Sequence, residues 1–369
     1  MKVYVFPADE TGCGAYRMIW PSRALAATGH NVQVVSEAEV SGFLSAEIIG
    51  ARLNQAGKIV GGRAQKVHVP EDTDVVVFQR PLNRYLADSV QILRDQGVAV
   101  VVEMDDDLAA IHPRHIAVNK FNPRFSSEYN WDHCQRACDA ATLVTATTQP
   151  LLDRYASHGR GVLIPNYAPD HLLDVPHEDS AQVGWGGSVF THPDDAQVVG
   201  DAIGRLFTTA GQFLRIVGPG PDEVVAREFG VKARQVRCTG PVPIDEYAGT
   251  LAAEIGVGIA PLQHNPFNRS KSWLKALEYS ALGIPWVASG LDEYRAFYAA
   301  TGGGLIAESP KQWHQHLRRL TRSSALRLEL GAAGRQAVRE RFTISGNARL
   351  WWSAWEHAYQ LQGRGVGVG

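Results

Sequence analysis

Short β-branched runs alternate with amphipathic stretches along the first half of the chain. The apolar runs at 3–6, 32–35, 75–78, 98–102, 143–145 and 162–164 have the length and composition of strands. Between them, 15–28, 85–96 and 151–157 space their apolar residues at helical intervals. Strands that alternate with helices stack as βα units, which predicts an α/β protein with a mostly parallel sheet covered by helices. A polar stretch after Pro165-Asn166 runs through Pro169, Pro176 and Asp179, and a second series opens at Val183-Gly184-Trp185. It repeats the rhythm, with strands at 183–185, 213–217, 236–238, 257–260, 286–288 and 305–307 and helices at 196–208 and 270–282. Past Pro310 the pattern is helical throughout. The last helix carries Trp351, Trp352, Trp355 and Tyr359, too many aromatic side chains for a solvated tail, so it is expected to dock. The predicted organisation is one domain over 1–170, a second over 171–345, a helix over 346–362 that crosses back to the first domain, and a flexible tail over 363–369. Two doubly wound domains would face each other across a cleft, and ligands of such sheets sit at the carboxyl ends of the strands.

Length and composition agree with this picture. A chain of 369 residues with 45% hydrophobic and 20% charged positions is an ordinary globular protein of about two domains. The net charge of -2 gives no whole-molecule attraction to nucleic acid or anionic lipid. Charge is uneven, however: from Lys311 to Arg349, nine basic residues stand against Glu329 and Glu340. Two readings are open, a solvated helical face or a surface for an anionic acceptor, membrane or nucleic acid. The four cysteines, Cys13, Cys134, Cys138 and Cys238, are too few for a disulfide framework and suit a reducing compartment, so a cytoplasmic location is expected. Neither a signal-peptide pattern nor an apolar run of about 18 residues occurs, and stable membrane insertion is not expected.

Several loops could carry chemistry. Gly12-Cys13-Gly14 follows the first strand and opens a helix, which fits either a tight turn or a backbone that approaches an anion. Arg17 occupies the place of the third glycine in a dinucleotide fingerprint, which argues against NAD. Asp105-Asp106-Asp107 ends the strand at 98–102; these carboxylates could hold a hard cation, cap a helix through Asp107, or bond a hydroxyl through Asp105 or Asp106. His112 lies just downstream. Cys134 and Cys138 share a helix face, but His133 points about a hundred degrees away, which disfavours zinc.

The segment 267–285 is the most informative. Ser270, Lys271 and Ser272 are predicted to form the first turn of a helix, where free N–H groups, the helix dipole and the Lys271 charge favour a phosphate. Lys271 and Glu278, seven apart, would share one face and could hold a diphosphate at one end and ribose hydroxyls at the other. A solvated stripe of Lys271, Lys275 and Glu278 is the alternative.

Here the residues carry a resemblance. Ala260-Pro261-Leu262, Phe267-Asn268, Lys271-Ser272, Lys275, Glu278-Tyr279, Ala281, Gly283 and Pro285 together resemble the donor-site helix of two-domain GT-B glycosyltransferases related to family four, the glycosyl transferases of group 1, of the bacterial and bacteriophage type. Gly12 to Gly14 with Tyr16-Arg17 and Pro21 resembles the family's acceptor-side loop. Glu103 with Asp105-Asp106-Asp107-Leu108 resembles its E-x-D-D-D-L strand end, and Ile164-Pro165-Asn166 its hinge. Gly184 to Ser188 with His192, Val217-Gly218 and Gly240-Pro241-Val242 resemble its nucleotide-sugar loops.

The resemblance implies two Rossmann-like domains and transfer of a sugar, with retention, from a nucleotide-diphosphate donor to a hydroxyl acceptor on a glycan, protein or modified nucleic acid. The nucleotide sugar is then a co-substrate, with no metal and no other cofactor. Lys271 would stabilise the leaving diphosphate, with Asp106 and His112 completing the catalytic set. Donor contacts would come from Gly186, Gly187, Ser188, His192, Gly218, Pro241, Val242, Asn268, Arg269, Ser270, Ser272 and Glu278, and acceptor-side contacts from Gly12, Cys13, Gly14, Arg17 and Asp105. Two departures stand out. The first glutamate of the family's Glu-x7-Glu helix motif is Ser270, and the basic residues that commonly follow the donor domain's first strand are missing, leaving His192 as the nearest titratable group. A GT-B-fold epimerase acting on the donor alone, or a non-catalytic nucleotide-binding module, are the alternatives.

Overall fold

The computed structural model describes residues 1–55, 59–207 and 212–363. The chain forms two compact units, one from Met1–Ala110, Asn119–Pro165 and Ala348 onward, the other from Ile111–Val118 and Asn166–Asn347. Periodicity carries no sign of the Ile111–Val118 excursion.

The first unit is built on six parallel strands, β1 (Lys2–Phe6), β2 (Asn31–Val34), β3 (Val75–Gln79), β4 (Ala99–Met104), β5 (Leu143–Ala146) and β6 (Gly161–Leu163), in the order β6-β5-β4-β3-β1-β2. The central strands β3 and β4 are buried along their whole length, which is why Val-Val-Val-Phe and Ala-Val-Val-Val read as continuous apolar runs. Their polar ends, Gln79 and Glu103, lie opposite each other in register. Helices Arg84–Asp95 and Trp131–Ala140 cover the sheet, each capped by an asparagine side chain that accepts from its first-turn N–H groups. An antiparallel ribbon, Ser45–Ile49 with Arg63–His68, occupies a span to which the hydrophobic pattern assigns no element.

The helix Arg349–Leu361 belongs to this unit. It buries Trp351, Ala354, Trp355 and Ala358, the spacing of one helix face, and the Trp352 ring meets His30 edge-on at 4.3 Å. Under it lies a buried ion pair. Nε and a terminal nitrogen of Arg17 both approach Glu103 Oε1 at 2.7 Å, a second nitrogen donates to the Pro165 carbonyl, and the guanidinium stacks 5.1 Å from the Trp351 ring. Thr145 Oγ1 donates to the other Glu103 oxygen. Arg17 is 1% exposed and Glu103 0%, so Arg17 ties the core together and has no face left for an acceptor, contrary to the role the resemblance implies. A π-helical stretch, Ala15–Ile19, between Gly12–Gly14 and Trp20–Ala27 buries Arg17 together with Ala15, Tyr16 and Met18.

The second unit repeats the plan with β7 (Val183–Gly186), β8 (Leu214–Val217), β9 (Val236–Cys238), β10 (Val257–Ala260), β11 (Trp286–Ser289) and β12 (Gly304–Ala307), all parallel in the order β9-β8-β7-β10-β11-β12. The helix expected over 196–208 is instead a 3-10 turn, Asp195–Val199, and a short helix, Ala202–Leu206, broken where Gly200 takes φ +60; Thr208 lies outside the described residues. So do residues 364–369 of the expected tail. Helices Pro310–Arg322 and Ser324–Arg341 carry the basic stretch. Arg327 and Arg335 serve the fold, the first forked onto Asp179 at 2.7 and 2.8 Å, the second donating to the Leu173 and Val175 carbonyls. Lys311, Arg318, Arg319, Arg322, Arg339, Arg341 and Arg349 are exposed.

The Arg327 hydrogen bonds hold the Asp179 carboxyl below its usual range. A carboxylate held low contributes stability above its unfolded value, and this is lost as pH falls through the folded one. Asp179→Asn is therefore expected to flatten the acid limb of a melting-temperature profile below about pH 4. A profile parallel to that of the parent would show that the fork adds nothing.

Candidate functional site

The carboxyl ends of β7, β8 and β9 are tied into one rim. Gly187 N donates to Val217 O at 3.0 Å, and Gly218 N to Thr239 Oγ1 at 3.2 Å. Gly218 has φ +151, and a Cβ there would stand 2.2 Å from the Gly187 carbonyl oxygen, so the two loops can meet only with glycine at 218. Tyr279 Oη accepts from Gly186 N and donates to Ile259 O. Lys275 Nζ donates to Gly186 O, with the Trp185 ring 5.7 Å away. Burial lowers the Lys275 pKa, Glu278 works against that shift, and Lys271 adds to it. Glu278 is 6% exposed.

The segment expected to open the donor helix is built differently. A single turn, Pro266–Arg269, is capped by the Asn265 side chain, which accepts from Asn268 N. Ser270 closes that turn, its Oγ donating to Phe267 O at 2.7 Å, and the helix resumes only at Leu274–Leu282. Asn166 holds the intervening bend: its Nδ2 donates to Ser272 Oγ at 2.6 Å and its carbonyl accepts from Trp273 Nε1 at 3.0 Å. Ser270, Lys271 and Ser272 are thus not a first helical turn, and Lys271 does not share a helix face with Glu278. Lys275 takes that place, one turn before Glu278. Ser270 is buried and its hydroxyl is used by the turn, so a donor contact through that side chain is also corrected. Lys271 Nζ lies 4.4 Å from the centre of the Phe267 ring.

Beneath the rim sits a carboxylate that sequence reasoning missed. Asp195 is 2% exposed. Its Oδ1 accepts from Gln263 N at 2.9 Å and from Asn268 Nδ2 at 2.5 Å, and its Oδ2 meets His192 Nδ1 at 3.1 Å. Asn268 and His192, 76 positions apart, are therefore fixed by one side chain. The Trp185 ring meets His192 edge-on at 5.6 Å. Ser188 shapes the same loop, its carbonyl accepting from Thr191. Pro241 and Val242 lie on the loop after β9, and Arg269 is exposed.

His112 also belongs to this unit. Its Nδ1 accepts from Arg114 N, and its Nε2 faces Asp194 Oδ2 at 3.4 Å, a carboxylate also paired with the Arg114 guanidinium. Both ring nitrogens are thereby engaged in holding the Ile111–Val118 segment.

The first unit gathers a second polar cluster at the ends of β1, β3 and β4. Asp9 Oδ1 accepts from Thr11 N, Thr11 Oγ1 and Gly14 N, while Arg80 bridges Asp9 Oδ2 at 2.6 Å and Asp105 Oδ1 at 3.2 Å. Gln79 Nε2 donates to Cys13 O and to Asp105 Oδ2. Arg80 adopts φ +44, a left-handed conformation for a non-glycine residue. A Cβ on Gly14 would fall 1.7 Å from Asp9 O, which fixes that position as glycine, whereas Gly12 has open space. Burial of Asp9 disfavours its charge, yet Arg80 and the donors around it hold its carboxyl below the usual range. Burial also pushes the Cys13 thiol far up, so it is not a nucleophile. Asp106 is half-buried beside this cluster. Asp107 accepts from the Ala109 and Ala110 N–H groups and pairs with Arg154 at 3.0 Å, the capping arrangement. Asp9, Gln79, Arg80 and Asp195 carry no local motif; only the positions of Asp9, Gln79 and Arg80 at or just beyond strand ends could have marked them.

Among the described residues, no group of three or more His, Cys, Asp and Glu side chains is arranged to hold a metal, and no helix is long and apolar enough to cross a membrane. Cys134 and Cys138 lie in the core, and His133 is bonded to Ser127 O and to the Asn130 and Arg136 side chains.

Residues 202–352 match the family model described as "Glycosyl transferase-like". Among solved structures, the chain is similar to sucrose-phosphate synthase from Thermosynechococcus elongatus, at 16% identity over 98% of this chain and 100% of that one, with a TM-score of 0.61. It is similar to HepE of Anabaena in complex with UDP and glucose, at 13% identity over 96% and 99%, with a TM-score of 0.62. A glycosyltransferase from Rickettsia africae superposes with a TM-score of 0.59, at 13% identity over 97% and 98%. No curated protein matches by sequence. The two Rossmann-like parallel sheets are those of the GT-B glycosyltransferase fold, as the sequence resemblance implies.

Proposed function

We propose that the chain is a glycosyltransferase that moves a sugar from a nucleotide-diphosphate donor to a hydroxyl acceptor with retention of configuration. The observation that carries this reading is the rim of the second sheet, where glycine-bound loops meet Lys275 with Lys271 close by. Two cations beside one rim suit a group that gains negative charge as it leaves. Lys271 and Lys275 would neutralise the departing diphosphate, and the N–H of Ser188 and the start of Leu274–Leu282 would face its oxygens. Glu278 is the candidate for the ribose hydroxyls. In retention, the bond from the anomeric carbon to the diphosphate breaks, the acceptor oxygen bonds on the same face, and its proton passes to a diphosphate oxygen. That route asks for no protein base, no metal and no further cofactor. The polar cluster around Asp105 and Asp106 is the candidate for a glycan, protein or nucleic-acid acceptor, and the free cysteines suit a reducing cytoplasm.

HepE was solved with UDP, which makes UDP the first nucleotide to try, followed by GDP, ADP and dTDP. One of them is expected to raise the melting temperature selectively, by about 2.7 kcal/mol of stabilisation at a hundredfold excess over Kd. Stabilisation by none of the four would remove the donor site. With the matching sugar nucleotide, proton NMR of the product should show the donor's anomeric configuration; the opposite anomer would refute retention.

A further inference from the structure

The pairing of His192 with Asp195 has a chemical consequence. A carboxylate only accepts hydrogen bonds, so the imidazole nitrogen beside it, Nδ1, carries the proton. In a neutral ring the other nitrogen, Nε2, is then a bare lone pair. The charged groups acting on this ring are Asp195 on its own turn, Lys275 from Leu274–Leu282 and Lys271 from the bend before that helix; Asp194, next in sequence, is occupied by His112 and Arg114. Burial is the largest influence, and with the two lysines it outweighs Asp195 and holds the ring down to about 4, so His192 is neutral in the empty protein. The side chain is 13% exposed. A neutral ring with a bare lone pair makes a poor partner for phosphate oxygen, and a charged one makes a strong partner.

We propose that His192 and Asp195 form a proton-loaded clamp for the donor diphosphate: its arrival draws one proton onto Nε2 of His192, which then donates to a phosphate oxygen while Asp195 holds Nδ1–H in place. The inference rests on the donor site proposed above. A diphosphate brings two negative charges that cancel the push of Lys271 and Lys275 and add their own attraction, and each opposite charge within about 4–6 Å moves a titration by about 1–3 units. The His192 titration therefore crosses neutrality on binding. Positive charge at the site thus appears with the donor, and Asp195 is the positioning residue, holding His192 on one oxygen and Asn268 on the other.

Nitrogen NMR of the imidazoles in the full chain tests this at pH 7, with inorganic diphosphate as probe and His192→Gln identifying the signal among the 13 histidines. The expected result is a neutral ring protonated on Nδ1 without diphosphate and a doubly protonated ring at saturation. Calorimetry with the sugar nucleotide selected by the melting panel, whose diphosphate does not titrate in this range, should give a Kd that rises with pH from pH 6 until the bound ring loses its proton, by up to about tenfold per unit. In His192→Gln that slope should vanish, and in Asp195→Asn it should shrink, because the tautomer is no longer fixed. A His192 that stays neutral with diphosphate bound, or is already charged without it, overturns the clamp and leaves the donor site standing. If neither inorganic diphosphate nor any sugar nucleotide binds, the donor site and the clamp fall together.

Discussion

Arg17→Met is expected to destabilise the first unit by about 3–5 kcal/mol, read from urea unfolding and the melting temperature, because it strips the partner from a buried carboxylate. Glu103 has no exposure, and burial already pushes its carboxyl above the ordinary range although Arg17 and Thr145 pull the other way. Without Arg17 the carboxylate must either stay charged in an apolar core or take a proton. A carboxyl whose folded pKa lies above its unfolded one binds its proton more tightly when folded, so lowering the pH favours the folded state. Arg17→Met should therefore recover part of its loss as pH falls from 7 towards 5. Arg17→Met with Glu103→Leu, which removes both charges, should be far more stable than the single variant. If the single variant unfolds like the parent, the pair is not the tie described.

Lys271→Ala is expected to lose turnover by about a hundredfold or more while its melting temperature stays close to that of the parent. The lysine sits on the bend between two helical segments, its side chain only half-buried, so its loss leaves no hole in the core. Its contribution grows as the diphosphate departs, so kcat should fall with kcat/KM. Lys275→Met makes a useful contrast. Its ammonium is bonded to the Gly186 carbonyl, and its loss should weaken donor binding and loosen the rim together. Near-normal turnover in Lys271→Ala would defeat the assignment of that lysine.

Much of the fold is legible in the chain because β3 and β4 are buried on both faces and each carries a run of three valines, and because glycines recur where strands turn into loops. The donor loops are legible in part for the same reason: Gly218 is dictated by a backbone approach that any side chain would block. The helix at 270–282 misleads because its periodicity is sound while its start is set by two tertiary bonds from Asn166, more than a hundred residues away in sequence. Asp195 is hidden for a similar reason. It lies just before the segment at 196–208 that scans as a helix, and its partners Gln263 and Asn268 come from the far side of β10 in sequence. Arg17 reads as a motif residue, and only the aromatic face of a helix beginning at Arg349 shows that it faces inward.

The chain passes between its two units four times, after Ala110, Val118, Pro165 and Asn347. The stretch that carries Trp351 and Trp355 follows the whole of the second unit in sequence, so the first unit keeps an uncovered seam over Arg17 until after the second has been synthesised. The unit begun first is therefore finished last. A protein truncated after Asn347 should hold a protease-resistant second unit and a first unit still open to digestion.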